Sequence, residues 1–202
     1  LTNVSVEQAS QAAASIEPLT GIASFNATIG GAGPSQKALI ASLSGQGRFD
    51  TKNGVIRRVD IPRINAQFGQ LSTVNDFLRL TGSALAGGQT AYRQIGSDIV
   101  IKDGILRTRK FTSDIDGGAD VKLKMVVDLP NWVIDGKGRF KLRDHPDAPP
   151  VRVTMKENLS NPTVVYQTKA LQQYIGVRLG AAVLKGVVKG EGVGLKLSLI
   201  HI

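Results

Sequence analysis

The most constraining feature of this sequence is a regular alternation of apolar and mostly charged residues between positions 121 and 129. The apolar positions are Val121, Leu123, Met125, Val127 and Leu129. Lysine, valine and aspartate stand between them. Because successive side chains of a strand point to opposite faces, a period of two predicts a strand with one apolar and one wet face. This signature is typical of antiparallel sheets with one covered face.

The same alternation returns at Phe140 and Leu142, and again at Val151, Val153 and Met155. Between residues 90 and 143 the chain reads almost entirely as strand and turn. We therefore predict an α+β fold dominated by β structure. It is a curved, mostly antiparallel sheet of repeated hairpins, with three to four short helices packed on or beside it.

A turn signature occurs twice, as K-N-G-V-I-R at 52–57 and as K-D-G-I-L-R at 102–107. Asn-Gly and Asp-Gly favour the type I′ turn, which needs positive φ at both central residues. We predict hairpins turning at Asn53-Gly54 and at Asp103-Gly104. The arms of the first would be 46–52 and 55–61, ending at Pro62. Since the flanks of the two copies differ, a strict tandem repeat is not expected.

Helices are predicted at 6–16, from Pro34 or Ser35 to Gly45, from about Thr73, and over 168–188. The third has a T-x-x-D cap and is followed by a loop at 82–88. Its predicted apolar stripe is Leu71, Val74, Phe77 and Leu78. The stripe of the last helix is Leu171, Ile175, Leu179, Ala182, Val183 and Val187.

The sequence has few of the residues and motifs that are typical of catalytic sites. It has no cysteine, and the common hydrolase, zinc-protease and P-loop motifs are missing. His145 lies in D-H-P-D, which we interpret as a turn. Residues 114–120 resemble a Ca²⁺ loop but lack its closing glutamate, and the glycines at 190–194 follow a helix instead of opening one. We expect no enzyme activity, no cofactor and no metal site.

The formal net charge of +9 favours anionic partners. Sheets that bind single-stranded nucleic acid stack bases on aromatic side chains. The basic run Arg139, Lys141 and Arg143 has no aromatic residue on its own face, because Phe140 points the other way. We interpret these charges as a solvated sheet face and expect no nucleic acid partner.

Several short motifs occur in an order that resembles the C-terminal region of the AsmA family of bacterial envelope proteins. They are L-x-G-x-G at 43–47, N-G-x-I at 53–56, D-G-x-L at 103–106 and N-P-x-V at 161–164, which begins at Asn161 and Pro162. The resemblance covers about residues 15–190. Each motif is short, so their order and spacing carry the likeness.

The resemblance implies a sheet curled into a trough with an apolar interior, on the periplasmic side of the bacterial inner membrane. It implies a membrane anchor outside this chain and no catalytic residues. Family members are associated with outer-membrane assembly and phospholipid homeostasis, and they are similar to bridge-like lipid-transfer proteins. We expect a single domain over 1–196. Residues 197–202 read like translated sequencing-adapter sequence, and we expect them to be a non-native tail.

Under this interpretation the apolar sheet face contacts lipid. The candidate groove residues are Val121, Leu123, Met125, Val127, Phe140, Leu142, Val151 and Val153. Core packing beneath helices would produce the same alternation, so both readings stay open at this stage. Phospholipid or another envelope lipid is the expected partner. The alternative is an assembly factor that docks envelope proteins without carrying lipid; a secreted enzyme or polysaccharide binder is disfavoured by the lack of polar and aromatic clusters.

Overall fold

The computed structural model describes residues 4–5, 19–116 and 119–188, with side chains from 19 to 181. Nine strands form one sheet in sequence order, and every neighbouring pair is antiparallel. The sheet is curved and open, and four helices accompany it. The predicted β-dominated α+β class is confirmed.

The elements follow the chain in a simple meander. The strands are β1 (Val4–Ser5), β2 (Ile22–Gly30), β3 (Ser44–Arg57), β4 (Gln89–Lys102), β5 (Ile105–Ile115), β6 (Ala119–Asp128), β7 (Val133–Leu142), β8 (Val151–Asn158) and β9 (Thr163–Gln167). The helices are α1 (Gln36–Ser42), α2 (Ile61–Phe68), α3 (Val74–Ala84) and α4 (Lys169–Val188). None of the described helices is long and apolar enough to cross a membrane.

The second K-[ND]-G signature forms the predicted hairpin. Asp103 and Gly104 have φ of 50° and 72°, and they connect β4 to β5 directly after the pair Lys102 and Ile105. Both central residues are left-handed, as a type I′ turn requires. Contacts from outside the hairpin agree with this turn, since Asp103 N donates to Ser44 Oγ at 3.1 Å and Gly104 N to the Leu43 carbonyl at 2.9 Å.

The first signature does not form a hairpin, so that prediction is wrong. Strand β3 runs straight through Asn53 and Gly54, and only Asn53 has a positive φ, of 51°. On the β2 side the register shifts by one residue between the pairs Ile22–Lys52 and Leu19–Ile56. Asn53 therefore occupies a β-bulge, a second structure that tolerates a left-handed residue.

Tertiary contacts explain why the chain stays extended at Gly54. Thr20 bonds with Val55 on one side, through its backbone N–H to the Val55 carbonyl at 3.0 Å. On the other side Tyr92 packs on Gly54 and donates a hydrogen bond to the Thr20 carbonyl, while the Thr51 hydroxyl lies 2.8 Å from its oxygen. Burial raises the pKa of the Tyr92 phenol. Pairing on both sides outweighs the local turn preference.

Replacing Gly54 with alanine tests this close approach. A Cβ there would meet Thr20 O and the Tyr92 hydroxyl well inside contact distance. We expect the free energy of unfolding to fall by about 1–3 kcal/mol, the usual cost of overpacking. Gly82→Ala is the matched control, since its Cβ would meet nothing within 4 Å in α3. This variant should raise the free energy of unfolding by up to about 1 kcal/mol. Equal shifts of the urea unfolding midpoint in both variants would contradict the close approach of Thr20 and Tyr92 to Gly54.

The sequence pattern does not predict helix α2, because Pro62 is expected to end a hairpin arm. Instead Pro62 lies in the first turn of the helix, a position that needs no N–H donor. The Asp60 side chain accepts a hydrogen bond from Arg63 N at 3.0 Å and caps the same turn. Ile61, Ile64 and Phe68 then line the buried side at helical spacing.

Helix α3 confirms the predicted cap but corrects its apolar stripe. Thr73 accepts from Asp76 N at 3.0 Å, and the Asp76 carboxylate accepts from Thr73 N at 2.9 Å, which completes a capping box. Hydrogen bonds with Thr73 and then with Arg79 lower the pKa of the Asp76 carboxyl. The buried residues are Phe77, Leu80, Thr81 and Ala84. Leu78 is 46% exposed, and the helix continues through Gly82 into the predicted loop.

Helix α4 packs onto α2 and α3 through the predicted positions Leu171, Ile175 and Leu179. Arg178 also reaches the Phe68 carbonyl at 3.2 Å and lies over the Phe68 ring. Helix α1 begins at the predicted cap, where Ser35 accepts from Ala38 N, and it buries none of its residues. The predictions for residues 6–16, 190–194 and 197–202, and for the side chains of Ala182, Val183 and Val187, lie outside the described residues.

Candidate functional site

Strand register places the alternating apolar residues on one continuous face. Residues that pair directly across an antiparallel sheet point to the same side. Val121 is paired with Phe140, and Phe140 with Val151. One step along the strands, Leu123 is paired with Gly138, and Gly138 with Val153. The opposite face carries Lys122, Lys124 and their partners.

The helices cover one end of this apolar face. The core cluster joins Ala119, Phe140, Leu142 and Val151 of the sheet to the buried sides of α2, α3 and α4. Phe140, Leu142 and Val151 are between 2% and 4% exposed. This corrects their assignment as groove residues, because helices already occupy the space that a ligand would need.

Beyond the helices the same face is only half buried. Leu123 and Met125 of β6, and Val153 and Met155 of β8, lie outside the helix-covered core cluster. We call these four residues the apolar strip. Val121 marks its boundary, since it is half buried against the helices. Val127, at the far end, is 7% exposed beside the equally buried Ile134 with which it pairs.

Two glycines of β7 make the apolar strip continuous across three strands. A Cβ on Gly138 would lie 3.0 Å from Val153 and 3.1 Å from Leu123. A Cβ on Gly136 would lie 2.9 Å from Met155 and 3.5 Å from Met125. The side chains of β6 and β8 therefore lean over the bare backbone of β7 and form an unbroken apolar surface.

The sheet opens between β5 and β6 beside the strip. The two strands pair at Arg107 with Val126 and again only at Ile115 with Ala119. Between these two places a side-chain hydrogen bond stands in for backbone pairing. Met125 N donates to Thr108 Oγ1 at 2.8 Å. A groove of about 620 Å³ follows this opening. Its lining combines apolar residues such as Leu123 with basic residues of the other face.

A second groove, of about 720 Å³, crosses β2 to β5 and contains an arginine held by two carboxylates. Arg48 donates to Asp50 at 2.7 and 2.8 Å and to Asp98 at 2.9 Å. These bonds raise the pKa of the Arg48 guanidinium. Arg48 and its two carboxylates therefore satisfy one another within this groove, whose lining also includes Arg109 and Lys110.

The residues weighed for chemistry have structural partners. His145 lies in the predicted turn, with Nε2 2.8 Å from the Asn65 carbonyl and its ring against Phe68. Asp114 accepts two hydrogen bonds from Arg93, at 2.7 and 2.8 Å, which lower the pKa of its carboxyl. Asp120 accepts from Arg143. Within the described ranges, three or more histidine or acidic side chains nowhere gather as a metal site would require.

Asn161 and Pro162 lie in the turn between β8 and β9. Asn161 N donates to the Asn158 carbonyl at 3.1 Å, and Leu159 N donates to the Trp132 carbonyl at 2.9 Å. The Trp132 indole in turn donates to Ser160 Oγ at 2.8 Å. Leu159 and Ser160, directly before the motif, therefore tie the β8–β9 turn to the β6–β7 turn.

Sequence reasoning missed the glycines of β7 and the alignment of cations on the opposite face. Gly136 and Gly138 stand at apolar positions of the period-two pattern in β7. Glycines at such positions are the sequence signal that side chains of the neighbouring strands can cover the β7 backbone. Comparison with known proteins found no matching family model, no matching curated protein and no matching solved structure.

Proposed function

We propose that this domain handles lipid without catalysing a reaction, and that the apolar strip receives the acyl chains. The observation that carries the proposal is the half-buried strip of Leu123, Met125, Val153 and Met155 beyond the helix-covered core. A phospholipid or another envelope lipid is the proposed ligand. Lipid needs only a continuous apolar surface, which agrees with a site that lacks catalytic groups among the described residues.

The energetic scale is adequate for such a ligand. Each methylene group removed from water contributes about 0.8 kcal/mol. Contact with eight methylene groups would give roughly 6 kcal/mol, which offsets the lower range of the association cost of about 4–15 kcal/mol. Binding of this strength is reversible, as transport between membranes requires.

The AsmA-like order of motifs supports the same proposal from the sequence. The resemblance implies a position on the periplasmic side of a bacterial inner membrane, with the membrane anchor outside this chain. It also implies a role for the curved sheet, which is to conduct lipid or to assist outer-membrane assembly. This location and this role are part of the proposal.

Native mass spectrometry of the purified domain tests the proposal. We expect a fraction of the protein to carry adducts with the mass of a phospholipid, and collisional activation should release them. Protein that is consistently free of lipid, even after incubation with phospholipid vesicles, would contradict lipid handling.

A second candidate function is a structural or assembly role, favoured by the outer strand β9. Among the described residues it pairs only with β8, and Val164 and Val165 are 42% and 49% exposed. An exposed strand edge can add a strand from another protein. In that case native mass spectrometry would show no lipid, and the domain would be retained on envelope proteins through β9.

A further inference from the structure

The face opposite the apolar strip carries cations aligned directly across three strands. Lys122 of β6 is paired with Arg139 of β7, and Arg139 with Arg152 of β8. One step along, Lys124 is paired with Lys137. Like charges directly opposite each other destabilise a sheet. We call these five residues the cation rows.

No carboxylate of the described residues lies within ion-pair distance of the cation rows. All five residues are exposed, and none forms an ion pair with the described residues. All five line the groove that follows the opening between β5 and β6, as does Arg109. This contrasts with Arg48, which is balanced by two carboxylates at hydrogen-bond distance. Exposed cations without an ion-pair partner are available to an external anion.

We propose that the cation rows dock the domain on the phosphate groups of an anionic lipid bilayer. Exposed valines on the same face favour a bilayer over other polyanions as the partner. By strand register Val126, Val133 and Val165 share the face of the cation rows, and they are 38%, 42% and 49% exposed. Basic and apolar side chains together suit the bilayer interface. Phe111 of β5 lines the same groove, but the strand residues on this face of β6 to β9 include no aromatic side chain on which a nucleic acid base could stack.

This inference stands independently of the lipid-handling proposal. Docking concerns the outer polar face and intact bilayers, whereas lipid handling concerns single acyl chains on the apolar strip. A domain can fail either test and pass the other, because the two sets of side chains point in opposite directions from the same strands.

Co-sedimentation with vesicles tests the docking. The unsubstituted domain should bind phosphatidylglycerol-containing vesicles, lose this binding as salt is raised, and ignore purely zwitterionic vesicles. The variant Lys122→Gln, Arg139→Gln, Arg152→Gln should bind about a hundredfold more weakly, at roughly 1 kcal/mol per cation. The control Lys37→Gln, Arg63→Gln, Lys169→Gln removes the same charge from exposed helix residues and should change binding less than about fivefold.

Three outcomes would overturn the proposal. The first is an equal loss of binding in both triple variants, which would reduce the effect to net charge. The second is a lower unfolding midpoint in the cation-row variant, since removing repulsion should leave the midpoint unchanged or raise it. The third is that a fluorescent twenty-nucleotide single strand binds as tightly as the vesicles and depends on the same three residues.

Discussion

Replacing Phe77 with alanine is expected to lower the free energy of unfolding by about 3–5 kcal/mol. Phe77 is fully buried where α3 meets α2, α4 and the end of the sheet. Truncation removes the ring from the centre of this cluster and leaves a cavity that the surrounding helices can fill only in part. Chemical denaturation followed by circular dichroism measures the change.

The neighbouring residue supplies the control for Phe77. Leu78 lies on the same turn of α3 but is 46% exposed, so Leu78→Ala should cost less than about 1 kcal/mol. A protein with ordinary stability of about 5–15 kcal/mol would lose a large part of it in the first variant only. Similar losses in both variants would contradict the packing of α3 described above.

The second large effect is expected for Leu123→Asp, which should abolish binding of a fluorescent phospholipid while the fold survives. A carboxylate in the middle of the apolar strip would have to lose its water when an acyl chain covers it, and this cost exceeds the contribution of the methylene groups it touches. Because Leu123 is only half buried in the free protein, its aspartate can stay hydrated when no lipid is bound.

The matched control is Val126→Asp on the same strand. Val126 points to the opposite face and is 38% exposed, so this variant adds the same charge without touching the apolar strip. We expect it to bind the soluble lipid as the unsubstituted protein does. If Leu123→Asp unfolds the domain, then Leu123 is a core residue and the strip does not serve lipid.

The alternation of apolar and charged residues was sufficient to predict the class of fold and the two faces of β6 to β8. It could not predict which part of the apolar face is covered. Phe140 and Leu123 follow the same period, yet one lies beneath three helices and the other outside them. Coverage depends on where the helices pack, and that is set by contacts between residues far apart in the chain.

The two K-[ND]-G segments show the limit of local turn signals. Their φ preference is satisfied in both cases, by a turn at Asp103 and by a bulge at Asn53. What differs is the surroundings, because Thr20 and Tyr92 hold Gly54 inside the sheet. A left-handed residue is thus predictable from sequence, whereas the structure that uses it depends on neighbouring strands.

The cation rows could not be predicted for a related reason. Each strand by itself shows only ordinary alternating lysines and arginines, which favour a solvated face. Their significance arises from register, since a shift of one residue would move Arg139 to the apolar side. Pairing between β6, β7 and β8 brings Lys122, Arg139 and Arg152 side by side.

The most direct test of lipid handling is photocrosslinking from within the apolar strip. A photoreactive phenylalanine derivative replaces Met155 in one variant and the adjacent, opposite-facing Thr154 in the other; both positions are half buried. Each variant is loaded with phospholipid, separated from vesicles and illuminated. Mass spectrometry should then find acyl chains attached at position 155 and none at position 154. Equal labelling at both positions, or no labelling at 155, would contradict the account.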